Sequence, residues 1–481
     1  MTENWISVLL LYAWLFLGLY SYYKRPKNSE SKWLNFLFFF TGPFGLIWNF
    51  VKGNPEFFQF FSKFKTKRKA ENKKFLNLVF LDSHGRDMYA DADSNTDIYE
   101  IVQKMIYDAV VKNCSDIFID PKGSAYVVRF RIDGMIRIYD TFLEDNALSV
   151  ISMIKVVSSM DIAEKRRPQD GSFSIICDEL NTSFRVATVG VHGGEKITIR
   201  VIASENSKRP LEQIGVTASQ LNTIRNGLKL PSGMILMCGP TGSGKTSTLY
   251  SMLGTIDYSM KNVISIEDPI ERIVPEISQM EVNTKAGITF ASLLRNALRQ
   301  NPDVICLGEI RDEETAEIAA HAAQTGHLII ATLHSNDCVG TIVRLTDLGI
   351  PLRSIAESLH LIVSQRLVRR LCDHCKKKAD LTPQRVHFCE QCGIPVDSVY
   401  SPVGCPECDH TGYSGRQAVF ELLTMSNELR AIMEVPDTSI TKIQEYIDQV
   451  QGTGSIFSIT GNMVIRGSIS LDEFERVNVT L

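Results

Sequence analysis

The chain has 481 residues, 44% hydrophobic and 22% charged, enough apolar material for about two to four globular domains. Lysine and arginine number 51 against 55 acids, giving a net charge of −4 and an isoelectric point near 6.2. That balance counts against a nucleic-acid-binding protein, which would present a basic field to phosphates.

The first feature is apolar. Trp5 to Tyr23 and Trp33 to Val51 carry no charge, and each has the length of a membrane span, roughly 17 to 25 residues. Trp5, Tyr22, Tyr23, Trp33 and Trp48 lie near the ends of these runs, where amphipathic rings favour the headgroup layer. A cleaved signal peptide does not fit, because no basic stretch precedes the first run and no small-residue cleavage pattern follows it. Both flanks are basic: Lys24, Arg25, Lys27 and Lys32 between the runs, and a series from Lys52 to Lys74 after them. Two topologies satisfy this pattern in part. One is a single pass with the Thr41-Gly42-Pro43 segment re-entrant or interfacial. The other is a hairpin with both ends in the cytoplasm, at the expense of the positive-inside rule. In either, the basic run 63 to 74 is expected to lie against anionic membrane lipid.

Residues 96 to 205 mix strand-like and helical patterns and are expected to form an α+β domain. Beyond them Met234-Ile235-Leu236-Met237-Cys238 reads as a buried strand, Gly239-Pro240-Thr241-Gly242-Ser243-Gly244-Lys245-Thr246 as a phosphate-binding loop, and Ser247 to Leu253 as the helix after it. The spacing has a chemical reason. Glycines 239, 242 and 244 let consecutive N–H groups curl around phosphates at a helix N-terminus, Lys245 reaches the β and γ oxygens, and the Thr246 hydroxyl ligates Mg²⁺. The ligand expected is therefore a nucleoside triphosphate with Mg²⁺. No Asn-Lys-x-Asp segment that would read guanine occurs.

Three further apolar strands follow. Val263 to Ile266 ends in Glu267-Asp268-Pro269, Val304 to Leu307 ends in Gly308-Glu309-Ile310-Arg311-Asp312, and a third is bracketed by His327 and His334. Strand ends are where α/β sheets bind ligands. Glu309 is the candidate for polarising the attacking water, since Gly308 stands where many such ATPases place a magnesium-binding aspartate. Strands alternating with helices to about residue 368 predict a largely parallel, RecA-like α/β sheet.

In this order the four boxes resemble those of the secretion ATPase superfamily, specifically the type II secretion and type IV pilus assembly (GspE/PilB-like) motors. The resemblance extends from about residue 96 to the C-terminus. Upstream it includes Ser115-Asp116-Ile117, Arg129 to Gly134, Ala163 to Gly171 and Arg185-Val186. It implies that Glu309 is the catalytic glutamate and that Glu267 helps hold magnesium or water. It also implies that His327 and His334 respond to nucleotide, and that Arg185 and Arg200 of the preceding domain approach the triphosphate when domains close. A site completed from another domain implies a ring, and the resemblance makes it a homohexamer. The chain departs from the family pattern at Phe118, Asp120 and Asn301, where histidine, glutamate and aspartate are usual. Residues 1 to 95 resemble an anchor and linker in place of the usual docking domain.

The eleven cysteines include Cys372-x-x-Cys375, Cys389-x-x-Cys392 and Cys405-x-x-Cys408, a grouping that suggests metal in a reducing compartment. A structural Zn²⁺ needs four thiolates. In the resembling motors an early and a late pair hold one zinc, which maps onto Cys372, Cys375, Cys405 and Cys408. Cys389 and Cys392 remain over, with His374, His387 or His410 available for a second site.

The organisation expected is membrane segments over 1–60, a basic linker over 61–95, the α+β domain over 96–205, the RecA-like ATPase domain over 206–368, a zinc-binding insertion over 369–416 and a helical part over 417–481. The function expected is Mg²⁺-dependent ATP hydrolysis on the cytoplasmic side of a bacterial inner membrane. It would power assembly of pilin-like subunits with an inner-membrane platform protein. A nucleotide-binding scaffold without turnover and a DNA-transfer ATPase are the alternatives, and no nucleic acid is expected.

Overall fold

The computed structural model describes residues 78–82, 85–87, 97–177, 180–202, 210–436, 438–451 and 454–478. Both expected membrane segments and the basic linker to residue 77 lie outside these residues, and among the described residues no helix is long and apolar enough to cross a membrane.

The first sheet is antiparallel throughout. Its strands are β1 (Val79–Leu81), β2 (Cys114–Lys122), β3 (Ala125–Ile132), β4 (Met135–Leu143), β5 (Gln169–Cys177), β6 (Leu180–Val191) and β7 (Gly194–Ile202), in the order β1-β5-β6-β7-β2-β3-β4. Alternation decides which face is covered: Tyr126, Val128 and Phe130 of β3 and Phe184 and Val186 of β6 point into a core shared with helices Asp97–Val111 and Glu144–Val157. The interleaved residues face away, which places Arg129, Arg131, Arg185 and Arg200 together on the uncovered face. Two departures from the family pattern are accommodated there. Phe118 lies between the guanidinium groups of Arg129 and Arg131, whose carbons stand 5.7 and 5.3 Å from its ring centre. Asp120 pairs with Arg129 at 2.6 Å and Lys196 at 3.3 Å.

The second sheet contains β8 (Gly233–Cys238), β9 (Val263–Glu267), β10 (Ser278–Glu281), β11 (Val304–Leu307), β12 (Leu328–Leu333), β13 (Leu359–Leu371) and β16 (Tyr413–Thr424), in the order β10-β9-β11-β12-β8-β13-β16. All neighbours are parallel except β13 and β16. Every residue of β8, β9, β11 and β12 is buried, as parallel strands covered by helices on both faces require. Two cores flank the sheet. One packs Leu236, Ile266, Leu307 and Leu333 against helices Phe290–Leu298 and Glu313–Gln324; the other packs Ile235, Met237 and Ile330 against helix Lys245–Leu253. Asn301 adopts a left-handed φ of 48°, a conformation asparagine tolerates better than most residues.

One expectation fails locally. The C-terminal part does not begin as helix: residues 413–424 form β16, because Val419, Phe420 and Leu423 are buried against β13. Among the described residues four helices follow from Asn427. Between β13 and β16 the short strands β14 (Lys377–Lys378) and β15 (Tyr400–Ser401) pair beside helix Pro383–Gln391.

Candidate active site and metal centre

The phosphate loop leaves β8 directly and feeds the helix that begins at Lys245. Gly239, Gly242 and Gly244 have φ values of 143°, 78° and 91°, which residues with a Cβ rarely adopt. Gly244 serves as the N-cap, so the free N–H groups of the first turn open into the loop. Lys245 is buried and donates from Nζ to Gly239 O at 2.6 Å and Pro240 O at 3.2 Å. Burial lowers its pKa, and the charge of Glu309 works in the opposite direction. Ser243 is buried, whereas Thr241 and Thr246 are exposed on the open side of the loop.

Glu309 sits just past β11, on the same edge of the sheet. His334 Nε2 lies 3.5 Å from its Oε2, and Arg311 is paired with its Oε1. Arg311 also reaches Asp268 Oδ2 at 3.5 Å, so one guanidinium joins the acids that follow β9 and β11. His334 is held below its ordinary pKa of 6.5, first by desolvation and then by the Lys245 charge, with Glu309 opposing. Asp312 plays a different part, its carboxylate capping helix Glu313–Gln324 by accepting from Thr315 N at 2.8 Å.

Glu267 is the last residue of β9 and is buried. It accepts from Tyr250 Oη at 2.5 Å, Ser265 Oγ at 2.7 Å and Gln279 Nε2 at 3.0 Å. Its carboxylate is thus already engaged by protein donors. The two histidines are separated. His327 precedes β12, and its carbonyl accepts from Gly233 N at the start of β8, the end of the strand opposite the phosphate loop. Six strand residues put it roughly 20 Å from His334 in the same chain. The arginines also divide. Arg185 bridges the two sheets, donating to Glu271 Oε1 at 3.1 Å and Ile270 O at 3.3 Å just beyond Glu267. Arg200 is paired across its own sheet with Asp116 at 3.3 Å.

Cys372, Cys375, Cys405 and Cys408 offer four sulfurs that all lie within 4.8 Å of one another. Separations of 3.9 Å (372 to 405), 3.8 Å (375 to 408) and 3.7 Å (405 to 408) match the edge of a regular tetrahedron with Zn–S bonds of ~2.3 Å, which is ~3.8 Å. Backbone N–H groups of Cys405 and Gly412 point at Cys408 Sγ, at 3.2 and 3.1 Å. Desolvation by itself would raise the Cys408 pKa, but these donors and the neighbouring thiols bring it down to about 6. The four thiols therefore suit a zinc ion. Cys389 and Cys392 stand apart, packed with Phe388 and Ile394 in a separate apolar cluster, and His387 is exposed beside Gln391 and Glu390.

Residues 91–476 match the family model described as "Type II/IV secretion system protein". The chain belongs to this family. It is 38% identical over 390 residues to type II secretion system protein E of Aeromonas hydrophila, covering 80% of this chain and 77% of that one. It is also 38% identical over 399 residues to the type IV pilus assembly ATPase PilB of Pseudomonas aeruginosa, covering 81% and 69%. Its fold is shared with the ATPase DotB of Legionella pneumophila (TM-score 0.61, 21% identity, covering 82% and 99%). The pilus retraction motor PilT with bound ADP has the same fold (TM-score 0.53, 24% identity, covering 78% and 96%).

Proposed function

We propose that this protein is an ATP-hydrolysing P-loop motor of the type II secretion and type IV pilus assembly class. The observation that carries this reading is the placement of Lys245, Glu309 and His334 on one edge of a largely parallel sheet, in a chain whose relatives include a type II secretion system protein E and a type IV pilus assembly ATPase. Lys245 and the loop N–H groups bind the β and γ phosphates, and Glu309 accepts a proton from the water that attacks the γ-phosphorus in line as ADP leaves. Mg²⁺ held by the Thr246 hydroxyl would neutralise charge on the phosphate oxygens. Glu267, engaged by Ser265, Tyr250 and Gln279, orients water around that site. Arg185 and Arg200 supply positive charge when the antiparallel domain closes, Arg185 after exchanging Glu271 for phosphate.

The protein works as a homohexamer whose catalytic domains lie on the cytoplasmic side of a bacterial inner membrane. Residues 1–60 anchor it and the basic linker 61–95 meets lipid. It drives pilin or pseudopilin subunits out of the bilayer together with a polytopic platform protein. Cys372, Cys375, Cys405 and Cys408 bind one Zn²⁺. This module favours extension of a fibre over retraction, since retraction motors of the superfamily generally lack it.

The test is to trap full-length Glu309→Gln with ATP in native membranes, purify it gently and identify co-purifying proteins by mass spectrometry. A platform protein or pilin-like subunit supports the motor. Neither of these, in an intact ATP-bound preparation, favours the scaffold without turnover.

A further inference from the structure

Strand β13 supports the phosphate loop from below. A Cβ on Gly239 would collide with Gln365 O, and one on Gly244 would stand 2.8 Å from Gln365 Nε2, so the loop rests on one residue of β13 at both ends. The next residue, Arg366, is only 3% exposed. Its Nη2 donates to Asn336 O and its Nη1 lies 3.5 Å from Gln365 O. Asn336 follows His334 by two residues, so this guanidinium ties the floor of the phosphate loop to the segment that presents His334 to Glu309.

Buried polar atoms on both faces of β13 lack partners at this level. Among the described residues Arg366 Nε, Gln365 Oε1 and Ser243 Oγ have no hydrogen-bond partner, and all three residues are at most 3% exposed. Arg369, on the same strand, pairs with Glu473 at 2.5 Å, but Arg366 has no such ion pair among the described residues. The charges of Asp337 and Glu421 reach it and favour the guanidinium, but neither carboxylate forms an ion pair with it, each accepting instead from a backbone N–H: Asp337 from Gly340 N at 2.6 Å and Glu421 from Ile456 N at 3.0 Å. Burial disfavours its charge, and that charge in turn disfavours the protonated form of Lys245. A guanidinium remains charged at any physiological pH, and a buried charge without a directly paired counter-ion is costly.

We propose that Arg366 is a positioning residue whose counter-charge is the phosphate chain of the bound nucleotide. This rests on the reading of residues 239–246 as the ATP site. With phosphate in the loop, the Arg366 charge is compensated and its bond to Asn336 holds His334 in register with Glu309. Without phosphate, the pair of cations Arg366 and Lys245 destabilises the apo form, so a nucleotide carrying more phosphate charge stabilises the protein more.

The experiment compares full-length wild type, Arg366→Met, Arg366→Lys and Lys245→Ala by thermal melting and by the Kd for ATP and ADP. Arg366→Met is expected to leave the apo melting temperature unchanged or raised, to shrink the ATP-induced rise, and to weaken ATP binding by about tenfold and ADP binding less. Arg366→Lys, which keeps the charge but loses the fork, is expected to bind ATP within about threefold of wild type while kcat falls by about tenfold. A lowered apo melting temperature with unchanged ATP affinity in Arg366→Met would mark a purely structural arginine and overturn the proposal. If Arg366→Met does not fold, Arg366→Lys decides alone: ATP binding as weak as in Lys245→Ala overturns it. Absence of ATP binding by the wild type would instead overturn the site itself.

Discussion

His334 Nε2 stands 3.5 Å from Glu309 Oε2, and Arg311 holds the other oxygen of the same carboxylate. Glu309 therefore has a fixed orientation before any nucleotide arrives. In the mechanism proposed above, a general base oriented in this way needs only the attacking water to be brought within hydrogen-bond reach.

Glu309→Gln keeps the shape and removes the proton acceptor. Turnover is expected to fall on the order of 10²–10⁴-fold with the ATP Kd little changed. Steady-state phosphate release and equilibrium binding of ATP check this, and turnover near wild type would transfer the role to another residue.

The depressed pKa of His334 sets an acid limit. Its folded value lies below the 6.5 of the unfolded chain, so the imidazole is mostly neutral at pH 7 in both states and costs little there. As pH falls below 6.5 the unfolded chain takes up a proton first, and the contribution to stability is lost progressively down to the folded pKa. Protonation would also pair His334 with Glu309 and occupy the base. The pH–rate profile is thus expected to lose activity below pH 6.5, and His334→Asn should move that limb. An identical acid limb in the variant would exclude His334 as its source.

Arg185 holds Glu271 in an exposed pair of a kind worth about 0–1 kcal/mol. If that pair were its whole role, Arg185→Ala and Glu271→Ala would have equal and small effects. The expected result is unequal: Arg185→Ala lowers kcat by about 10³-fold, Glu271→Ala far less, and Arg185→Lys recovers only part. Comparing kcat for the three variants checks it.

For the thiol cluster, Cys408→Ser is expected to release zinc and lower the melting temperature, because binding energy at a structural zinc is folding energy, about 10 kcal/mol or more. Cys389→Ser with Cys392→Ser should retain one zinc per chain, since those thiols pack elsewhere. Metal analysis by mass spectrometry decides between these outcomes, and loss of zinc from the double variant would call for a second site.

The phosphate loop was legible because its chemistry dictates a contiguous spacing. Strands β8, β9, β11 and β12 were legible because strands buried on both faces read as unbroken apolar runs. Spacing does not reveal which end of a strand faces the ligand, however, and so His327 and His334, similar in sequence context, part to opposite edges of the sheet. Gln365 and Arg366 were hidden for another reason: they interrupt β13 without any motif, and only the parallel pairing of β13 with β8 brings them under the loop. Asp312 looked like part of a catalytic box, but an aspartate before Glu313-Glu314-Thr315 is equally a helix cap. The middle cysteine pair was indistinguishable from its neighbours by spacing, and only burial against Phe388 and Ile394 separates it.

The four-thiol cluster lies where β13 ends and β16 begins. Leu371 is followed at once by Cys372, and Cys408 precedes β16 by only a few residues. These two strands are the antiparallel pair of the sheet, and the thiols occupy the position a tight turn would hold in a simple hairpin. With a metal ion bound, the cluster would fasten the register of this hairpin, and Gln365 and Arg366 lie on its first strand. A slip of β13 by one residue would turn Gln365 away from Gly239 and Gly244. The cysteine module, well removed along the chain from the phosphate loop, thus closes the hairpin whose first strand carries Gln365.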